Sequence, residues 1–495
     1  MIYQSTRGAE FTARDTEAVL RGIAPDGGLY IDPALGSRPF DWRGCLALPP
    51  LGMAEKILAH LLPGFKDMDA LVHRAYEGKF SAPELTPLVP VGEDYVLELF
   101  HGPTSAFKDV ALSMLPRLMT AARAQEGVED KIIILTATSG DTGKAALEGF
   151  RDVDGTGIIV FYPADGVSPV QKAQMVTQEG DNVEVCALRG NFDDCQRGVK
   201  ECFARISREA LLAGTGLRLS SANSINIGRL APQVVYYFIA YGALLRRGRI
   251  KAGAWVDFVV PTGNFGDILA GYFAKLMGLP VGRLVCASNA NRILTDFLCT
   301  GVYDRRRDFI KTSSPSMDIL VSSNLERLLF LASGGDGAFV KTCMENLARD
   351  GVYSVGDAVL GSIRAQFSAY TCGEAGTAQT IARVWRDYGY LCDPHTAVAF
   401  SAAEDYKAER AGDAPVVVLS TASPFKFPGA VLKALGGDRS GDAFAQMDRL
   451  SRLAGVEIPG NLSGLKAKVP LHRDSIEKDG LTDYVLRVLS EREGF

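Results

Sequence analysis

Residues 131–149, KIIILTATSGDTGKAALEG, contain the arrangement of elements that decides the fold. The stretch begins as an apolar β-branched run, continues as a loop of small polar residues, and ends as a predicted helix. A continuously apolar strand next to a helix is typical of a parallel sheet that is covered on both faces. The same kind of apolar run recurs at residues 157–162, 183–188, 255–260, 283–287 and 415–419. We therefore predict an α/β protein with mostly parallel sheets.

Length and composition limit the classes of protein that this chain can represent. Its 495 residues suggest two to four domains, and 47% hydrophobic with 22% charged residues is usual for a folded globular protein. The formal net charge of −5 provides no general attraction for nucleic acid or for an acidic membrane surface. The longest apolar stretch, residues 234–245, is too short to span a bilayer and predicts a buried helix instead. We expect neither a nucleic-acid partner nor a membrane.

Cysteine and histidine usage indicates the compartment and argues against a metal site. Residues 1–11, MIYQSTRGAEF, are polar and lack an apolar signal core. The nine cysteines are scattered and form no CxxC pair, so we expect reduced thiols in a cytoplasmic protein. No two of the five histidines have metal-ligand spacing, and we predict no metal. The histidines are His60, His73, His101, His395 and His472.

The loop in residues 131–149 can bind an anion at the start of the following helix. Asp141 and Thr142, together with Ser139, can cap that helix, whose free N–H groups and dipole favour a carboxylate or phosphate. A nucleotide P-loop is excluded, because Gly140 and Gly143 are too close and Ala145 replaces the required Ser or Thr. A capped helix without a ligand remains an alternative.

Two later loops follow predicted strands in the same way. PTGNFGD, residues 261–267, contains two glycines that allow close backbone approach and leave N–H groups free for a phosphate. STASPFKFP, residues 420–428, opens with the hydroxyls of Ser420 and Thr421, which can face a ring nitrogen or a carboxylate. The alternative for the first loop is a tight turn without a ligand, and for the second it is a helix cap without a ligand.

Two further segments carry groups suited to chemistry. In SANSINIGR, residues 221–229, amide and hydroxyl side chains precede Arg229, a combination that suits a tetrahedral oxyanion. In LELFHGPTSAFKD, residues 97–109, Lys108 follows Phe107 just before a predicted helix. Apolar neighbours disfavour the charged form of a lysine, and its neutral amine can then form a Schiff base. A solvated arginine and a surface lysine are the ordinary alternatives.

These segments, in this order, resemble the threonine synthase family, and the resemblance covers most of the chain. The chain resembles in particular the larger, fungal and proteobacterial type of this family. The stretches that carry it are YQSTRG (3–8), GIAPDGGLYID (22–32), HGPTSAFKD (101–109), ATSGDTG (137–143), NSINIGR (223–229), PTGNFGD (261–267), SPSMDILVSSNL (314–325), DPHTAV (393–398) and STASPFKF (420–427).

The resemblance implies a fold-type II, tryptophan-synthase-β-like enzyme that uses pyridoxal 5′-phosphate (PLP). Such an enzyme converts O-phospho-L-homoserine and water to L-threonine and phosphate, and would act as a monomer or homodimer. The expected organisation is a mainly helical N-terminal domain, a large PLP-binding α/β domain, a small α/β domain and a helical C-terminal appendage. Their expected boundaries are residues 1–90 for the first, 91–130 with 225–435 for the second, 131–224 for the third and 436–495 for the fourth.

The resemblance also assigns expected roles to individual residues. By matching position, Lys108 is the lysine that bonds the coenzyme and transfers protons, and Thr421 faces the pyridine nitrogen. Each remaining expected site contains several residues. The coenzyme phosphate is expected at Gly263, Asn264, Phe265 and Asp267. The substrate carboxylate is expected at Ser139, Gly140, Asp141 and Thr142, and the substrate phosphate at Asn223, Ser224 and Arg229.

One position departs from the pattern expected for the family. Ser423 stands where we expect a histidine, and the bulky Phe425 is nearby. Two alternative functions remain for a chain of this kind. A serine or threonine dehydratase would share the lysine and the phosphate loop without needing the site around Arg229. A non-catalytic binding protein on the same scaffold is expected to lose Lys108 or the carboxylate loop, and this chain has both.

Overall fold

The computed structural model describes residues 1–138, 140–164, 167–492 and 494–495. Its strands, in chain order, are β1 Ile2–Ser5, β2 Thr12–Arg14, β3 Tyr30–Ile31, β4 Leu88–Val91, β5 Asp94–Glu98, β6 Lys131–Ala137, β7 Thr156–Pro163, β8 Val183–Leu188, β9 Leu217–Ser220, β10 Val256–Pro261, β11 Val281–Ser288, β12 Val302–Asp304, β13 Val352–Ser354, β14 Phe367–Thr371, β15 Val416–Ser420 and β16 Ser475–Ile476.

Helices account for most of the remaining regular structure. They are α1 Asp15–Arg21, α2 Trp42–Leu46, α3 Pro50–Leu61, α4 Met68–Tyr76, α5 Lys108–Gln125, α6 Asp141–Phe150, α7 Pro169–Val176, α8 Phe192–Arg208, α9 Ile227–Leu230, α10 Val234–Arg246, α11 Gly266–Leu276, α12 Ile293–Thr300, α13 Leu325–Ala332, α14 Gly337–Asp350, α15 Gly356–Arg364, α16 Glu374–Tyr388, α17 Pro394–Glu409, α18 Pro428–Ala434, α19 Ala443–Ala454, α20 Gly460–Ser463 and α21 Leu481–Glu491.

Two mostly parallel sheets form the framework, as the apolar runs predict. One has six strands in the order β14-β11-β10-β15-β5-β4, with only β4 antiparallel to its neighbour. The other has five parallel strands in the order β16-β8-β7-β6-β9. All six predicted runs form strands of these sheets. The α/β fold class is therefore confirmed.

Helices cover both faces of the five-stranded sheet, which explains its apolar strands. Along β6, Ile132 and Ile134 pack in the large core cluster that extends to the N-terminal helices and to β10 and β11. The alternate residues Ile133 and Leu135 pack on the other face with α8 and α21. Because successive side chains of a strand point to opposite faces, a strand buried on both sides is apolar at every position.

The N-terminal region contains the predicted helices and, in addition, a small antiparallel sheet. Strands β2, β1 and β3 form this three-stranded sheet within the first 31 residues. The Tyr3 hydroxyl, buried beneath it, donates to the Leu61 carbonyl at 2.8 Å and joins the sheet to α3. The sequence analysis predicts a mainly helical region and does not place these strands, because strands of two to four residues have too short a pattern to be recognised.

The C-terminal tail is helical in α19 to α21, but it also extends the five-stranded sheet. Strand β16 pairs with β8, with Ser475 opposite Ala187. Helix α21 packs on α8 and buries Leu481, Tyr484 and Val485. Part of the expected helical appendage thus belongs to the core of this sheet. The exact domain boundaries stay predictions.

Helix α10 is the buried helix that the stretch at residues 234–245 predicts. Ten of its thirteen residues are buried, so its apolar character serves packing inside the protein. Across the described ranges, no helix has both the length and the hydropathy needed to cross a membrane.

Candidate active site

The carboxyl ends of strands from both sheets open onto one cavity of about 250 Å³. Parallel α/β sheets bind ligands at this edge, where loops lead from strands into helices. Within the described residues, the cavity brings together almost every side chain that the sequence analysis singled out. Those that line it are Lys108, Asp141, Thr142, Asn223, Ser224, Arg229, Gly263, Asn264, Phe265, Asp267 and Thr421. Gly140 lies just before α6 without lining the cavity, and Ser139 lies outside the described residues.

Lys108 is the first residue of α5, and its side chain faces the cavity although the residue is only 8% exposed. Its Nζ donates to the Ser316 Oγ at 3.3 Å and lies 4.0 Å from the Asp141 Oδ2. Burial lowers the pKa of the Lys108 amine to about 8, against the opposing effect of the Asp141 charge. More of the neutral amine is therefore present near neutral pH, and this is the form that attacks a carbonyl or accepts a proton.

The loop before Lys108 is held in a strained shape that fixes the lysine beside Thr421. Ser105 has a φ of 57°, in the left-handed region that non-glycine residues rarely adopt. The Phe107 N–H donates to the Thr421 carbonyl at 2.9 Å. Asp109 accepts from the Thr104 N–H at 2.9 Å, and burial raises the pKa of its carboxyl to about 6. Asp109 thus lies in the first turn of α5 and holds the preceding loop by accepting its hydrogen bonds.

The loop between β6 and α6 is also tightly organised. Thr138 Oγ1 accepts from the N–H groups of Gly140 at 3.0 Å and Gly143 at 2.8 Å. Gly140 has a φ of 144°, and a Cβ there would lie 2.4 Å from Gln171. Burial would raise the pKa of the next residue, Asp141, but the ammonium groups of Lys426 and Lys108 hold it well below its usual range. Asp141 is therefore an anion inside the cavity wall.

The loop between β10 and α11 forms a narrow cup. A Cβ on Gly263 would lie 2.5 Å from the Ser316 carbonyl oxygen, so the backbones approach as closely as only glycine permits. Phe265 has a φ of 63°, and α11 begins at the next residue with its free N–H groups towards the cavity. Strain of this kind is concentrated at binding sites.

Asp267 is the ionisable side chain of this cup. Its Oδ1 accepts from the Tyr236 hydroxyl at 2.5 Å and from the Tyr237 hydroxyl at 3.1 Å. Its Oδ2 is buried and has no hydrogen-bond partner among the described residues. Burial raises the pKa of the carboxyl to about 7, although the tyrosine hydrogen bonds oppose this shift. Near neutral pH, the Asp267 carboxyl can therefore carry a proton on Oδ2, for which the described residues provide no acceptor.

Arg229 lies on α9 and is buried in the wall of the cavity. Its Nη1 donates to the Ala222 carbonyl at 2.8 Å, while its buried Nε has no partner in the described part of the chain. Burial lowers the pKa of the guanidinium to about 10, so it remains charged at neutral pH. Asn226, from the same motif, instead binds the Val19 carbonyl and caps α9.

The sequence analysis gives no role to four side chains that support the cavity. Ser316 receives the Lys108 hydrogen bond, and its backbone N–H donates to the His395 Nε2 at 3.2 Å. The His395 Nδ1 lies 2.6 Å from the Asp393 Oδ1, so this pair fixes the ring. Lys426 is completely buried against Asp141. DPHTAV contains a recognisable helix cap, Asp followed by Pro, whereas the hydroxyls that mark the loop STASPFKFP give no role to Lys426.

The described residues contain no cluster of His, Cys, Asp or Glu that could hold a metal ion. The ionisable side chains that line the cavity there are Lys108, Arg229, His395, Asp141, Asp193, Asp267 and Asp318, and Lys426 lies behind the wall. The amine of Lys108 and the guanidinium of Arg229 suit an anionic organic ligand with an amine or aldehyde.

Comparisons with known proteins agree with this arrangement. The family described as Pyridoxal-phosphate dependent enzyme matches residues 81–422. Threonine synthase N terminus matches residues 2–42, and Threonine synthase, C-terminal, matches residues 396–468. The threonine synthase of Pseudomonas aeruginosa is 41% identical over 95% of this chain and 98% of that protein.

Solved structures show the same likeness in three dimensions. PLP-bound threonine synthase from Brucella melitensis has a TM-score of 0.85 and 39% identity, over 98% of this chain and 99% of that one. Threonine synthase from yeast has a TM-score of 0.85 and 34% identity, over 99% of this chain and 98% of that one. With the buried lysine and the glycine cup, these matches define the class as a PLP-dependent enzyme of fold type II. Within that class, the chain belongs to the threonine synthase family.

The residues of the cavity fit PLP. Lys108 offers a partly neutral amine to its aldehyde, and the hydroxyl of Thr421 lines the same cavity. The cup at Gly263 and the start of α11 have backbone N–H groups of the kind that bind a phosphate. The unpartnered Oδ2 of Asp267 is a buried polar atom that a ligand can satisfy.

Proposed function

We propose that this chain converts O-phospho-L-homoserine and water to L-threonine and phosphate with PLP as its coenzyme. The supporting observation is that one cavity combines the buried amine of Lys108 with two separate sites for anions. One is the cup at Gly263, and the other surrounds Arg229. A reaction that binds a coenzyme phosphate and releases a substrate phosphate needs both.

The bound coenzyme supplies an electron sink for charge that develops on the substrate carbons. Lys108 then acts as general base and acid: it removes a proton from Cα and next one from Cβ. The phosphate at Cγ leaves, water adds at Cβ, and Lys108 returns protons to the substrate carbons. A pKa of about 8 suits an amine that both accepts and donates protons near neutral pH.

Other residues bind and orient. We assign the coenzyme phosphate to Gly263, Asn264, Phe265 and Asp267, and the protonated Oδ2 of Asp267 can donate to it. Thr421 faces the pyridine nitrogen with a neutral hydroxyl.

The substrate has two anionic ends, and each has its own set of residues in this proposal. Gly140, Asp141 and Thr142, with Ser139, receive its carboxylate at the start of α6. Asn223, Ser224 and Arg229 bind its phosphate, and the unpartnered Nε of Arg229 supports this assignment.

The proposal also covers the setting in which the enzyme works. We propose a cytoplasmic location and a monomer or homodimer without nucleic acid. All nine cysteines lie in the described part of the chain and are free thiols, which supports a reducing compartment. The four domains keep the boundaries given by the sequence analysis.

The first experiment measures the visible absorbance of the purified protein and the release of phosphate from O-phospho-L-homoserine. We expect Lys108→Ala to lose both the coenzyme band and phosphate release, because the amine that holds the coenzyme is gone. Lys79→Ala is the control, since this lysine is exposed and lies outside the cavity. Phosphate release that persists in Lys108→Ala would refute the proposed mechanism.

A second experiment separates this function from a dehydratase. Arg229→Ala should raise the KM for O-phospho-L-homoserine about 10- to 150-fold, which corresponds to ~1.5–3 kcal/mol for a charge-assisted hydrogen bond. Binding of L-threonine, which has no phosphate, should change little. A parent protein that forms a 2-oxo acid from L-threonine and releases no phosphate from phosphohomoserine would be a dehydratase.

A further inference from the structure

Lys426 is a completely buried lysine behind the cavity wall, in the turn Pro424–Lys426 after β15. Its Nζ lies 2.6 Å from the Asp141 Oδ1 and donates to the Thr104 carbonyl at 3.0 Å. Asp141 begins α6 on the five-stranded sheet, whereas Thr104 belongs to the loop that leads from the six-stranded sheet to Lys108. One ammonium group therefore joins three segments of the active site.

The charge of Asp141 creates a problem for the substrate. Asp141 lines the cavity at the loop that we assign to the substrate carboxylate. Two carboxylates at close range inside a protein repel each other strongly, because water screens their charges less there than in bulk solvent. A negative side chain in a carboxylate site therefore needs a fixed cation close to it.

Lys426 is placed to be that cation. It is not among the described residues that line the cavity, so it approaches Asp141 from behind and leaves the front of the loop open. Gln171 supports the same carboxylate, because its Nε2 donates to Asp141 Oδ1 at 2.8 Å. Lys108, 4.0 Å from Asp141, is needed for the coenzyme and cannot serve as a permanent counter-ion.

We propose that Lys426 is a positioning residue for substrate recognition: it neutralises Asp141 and fixes the start of α6, so that this loop can accept the carboxylate of an amino-acid substrate. The inference rests on the proposed function, since it concerns the carboxylate end of the same substrate. Lys426 acts through Asp141 and does not itself touch the substrate.

The test compares ligands with and without a carboxylate on the PLP-loaded protein. L-Threonine carries one, and 3-aminopropyl phosphate is phosphohomoserine without it. Both are titrated by the change in the visible absorbance of the coenzyme. In Lys426→Met, we expect the Kd of L-threonine to rise at least tenfold, while that of 3-aminopropyl phosphate changes less than threefold. With phosphohomoserine, KM should rise more than kcat falls.

A second variant separates charge from packing. In Asp141→Asn/Lys426→Met the anion is removed with its counter-ion, while the backbone N–H through which Asp141 would receive the carboxylate at the start of α6 is kept. The Kd of L-threonine should therefore return to within threefold of the parent value. Equal weakening of both ligands in Lys426→Met, or a double variant that binds L-threonine tenfold more weakly than the parent, would overturn the proposal.

A variant that does not fold also bears on the proposal. If Lys426→Met does not fold, the double variant alone decides by the same threefold limit. If neither variant folds, the ion pair is required for the fold itself, and the proposal is wrong. A parent protein that releases no phosphate from phosphohomoserine would refute the proposed function, whereas a selective loss of L-threonine binding in Lys426→Met would still support the role of Lys426.

Discussion

Burial changes the acid–base chemistry of two side chains in the cavity in opposite directions. It lowers the pKa of Lys108 to about 8 and raises that of Asp267 to about 7. Both shifts have the same cause, because a low-dielectric surrounding disfavours whichever form is charged. For the lysine the result is a reactive amine, and for the aspartate it is a proton donor in the cup that we assign to phosphate.

The raised pKa of Asp267 predicts a pH-dependent cost to stability in the coenzyme-free protein. Between pH 3.8 and about 7 the folded protein keeps a proton that the unfolded chain releases. This group's contribution to the free energy of unfolding therefore falls as pH rises through that window and is constant above it. Asp267→Asn removes this effect. The free energy of unfolding of the variant, relative to that of the parent, should therefore rise by up to about 4 kcal/mol between pH 4 and 8.

Urea unfolding of both coenzyme-free proteins at several pH values measures this difference. The difference between variant and parent should rise with pH and become constant above about pH 7. A difference that is flat or falls with pH would show that Asp267 is ionised in the folded protein at all these values.

Residues of the site could be predicted where a local pattern marks them. Lys108, Gly263 and Arg229 lie in loops rich in Gly, Ser and Asn, directly after buried strands or at a helix start, and the cavity brings them together. Lys426 and Ser316 could not be predicted, because their partners are 285 and 208 residues away in the chain and no local pattern encodes such a pairing.

At the scale of the element, the short turn from β10 to α11 is a cup because two backbones meet in it. Gly263→Ala adds a Cβ 2.5 Å from the Ser316 carbonyl oxygen, and neither backbone can move away without opening the cup. We expect the variant to lose at least tenfold in PLP affinity, measured by titrating the coenzyme-free protein and following visible absorbance.

Gly266→Ala is the matched control in the same turn. Its Cβ would meet the Asn324 Nδ2 at 3.4 Å and the Gln233 Nε2 at 3.7 Å, which are ordinary contacts with side-chain ends. This variant should lose clearly less affinity than Gly263→Ala. Equal losses would mean that close backbone approach does not shape the cup.

Long, buried strands could be predicted from the sequence, whereas short, partly exposed strands could not. Strands β6, β7 and β8 are almost completely buried and have continuous apolar runs that stand out in the sequence. Strands β1 and β16 have only four and two residues and are partly exposed, so their sequences contain no alternation or apolar run long enough to recognise. Their strand character comes from the partner that they pair with, which agrees with the context dependence of β propensity.

At the scale of the whole molecule, both ends of the chain are built into its core. The N-terminal hairpin is held by Arg7, whose guanidinium binds the buried Glu326 of α13 at 2.8 Å. The C-terminal helix α21 covers α8, whose first turn contributes Phe192 and Asp193 to the cavity wall. Neither end carries chemistry in this proposal, and both support segments that do.

Leu481 tests whether the C-terminal tail stabilises the whole protein. It is 2% exposed and packs in the cluster formed by α8, α21 and one face of the five-stranded sheet. Leu481→Ala leaves a cavity there and should lower the free energy of unfolding by about 2–5 kcal/mol, the range for buried leucines. Leu471, in the same tail, is 59% exposed, so Leu471→Ala should change stability by less than about 0.5 kcal/mol. Chemical unfolding of the three proteins measures both effects, and a negligible loss in Leu481→Ala would show that the five-stranded sheet is stable without the tail.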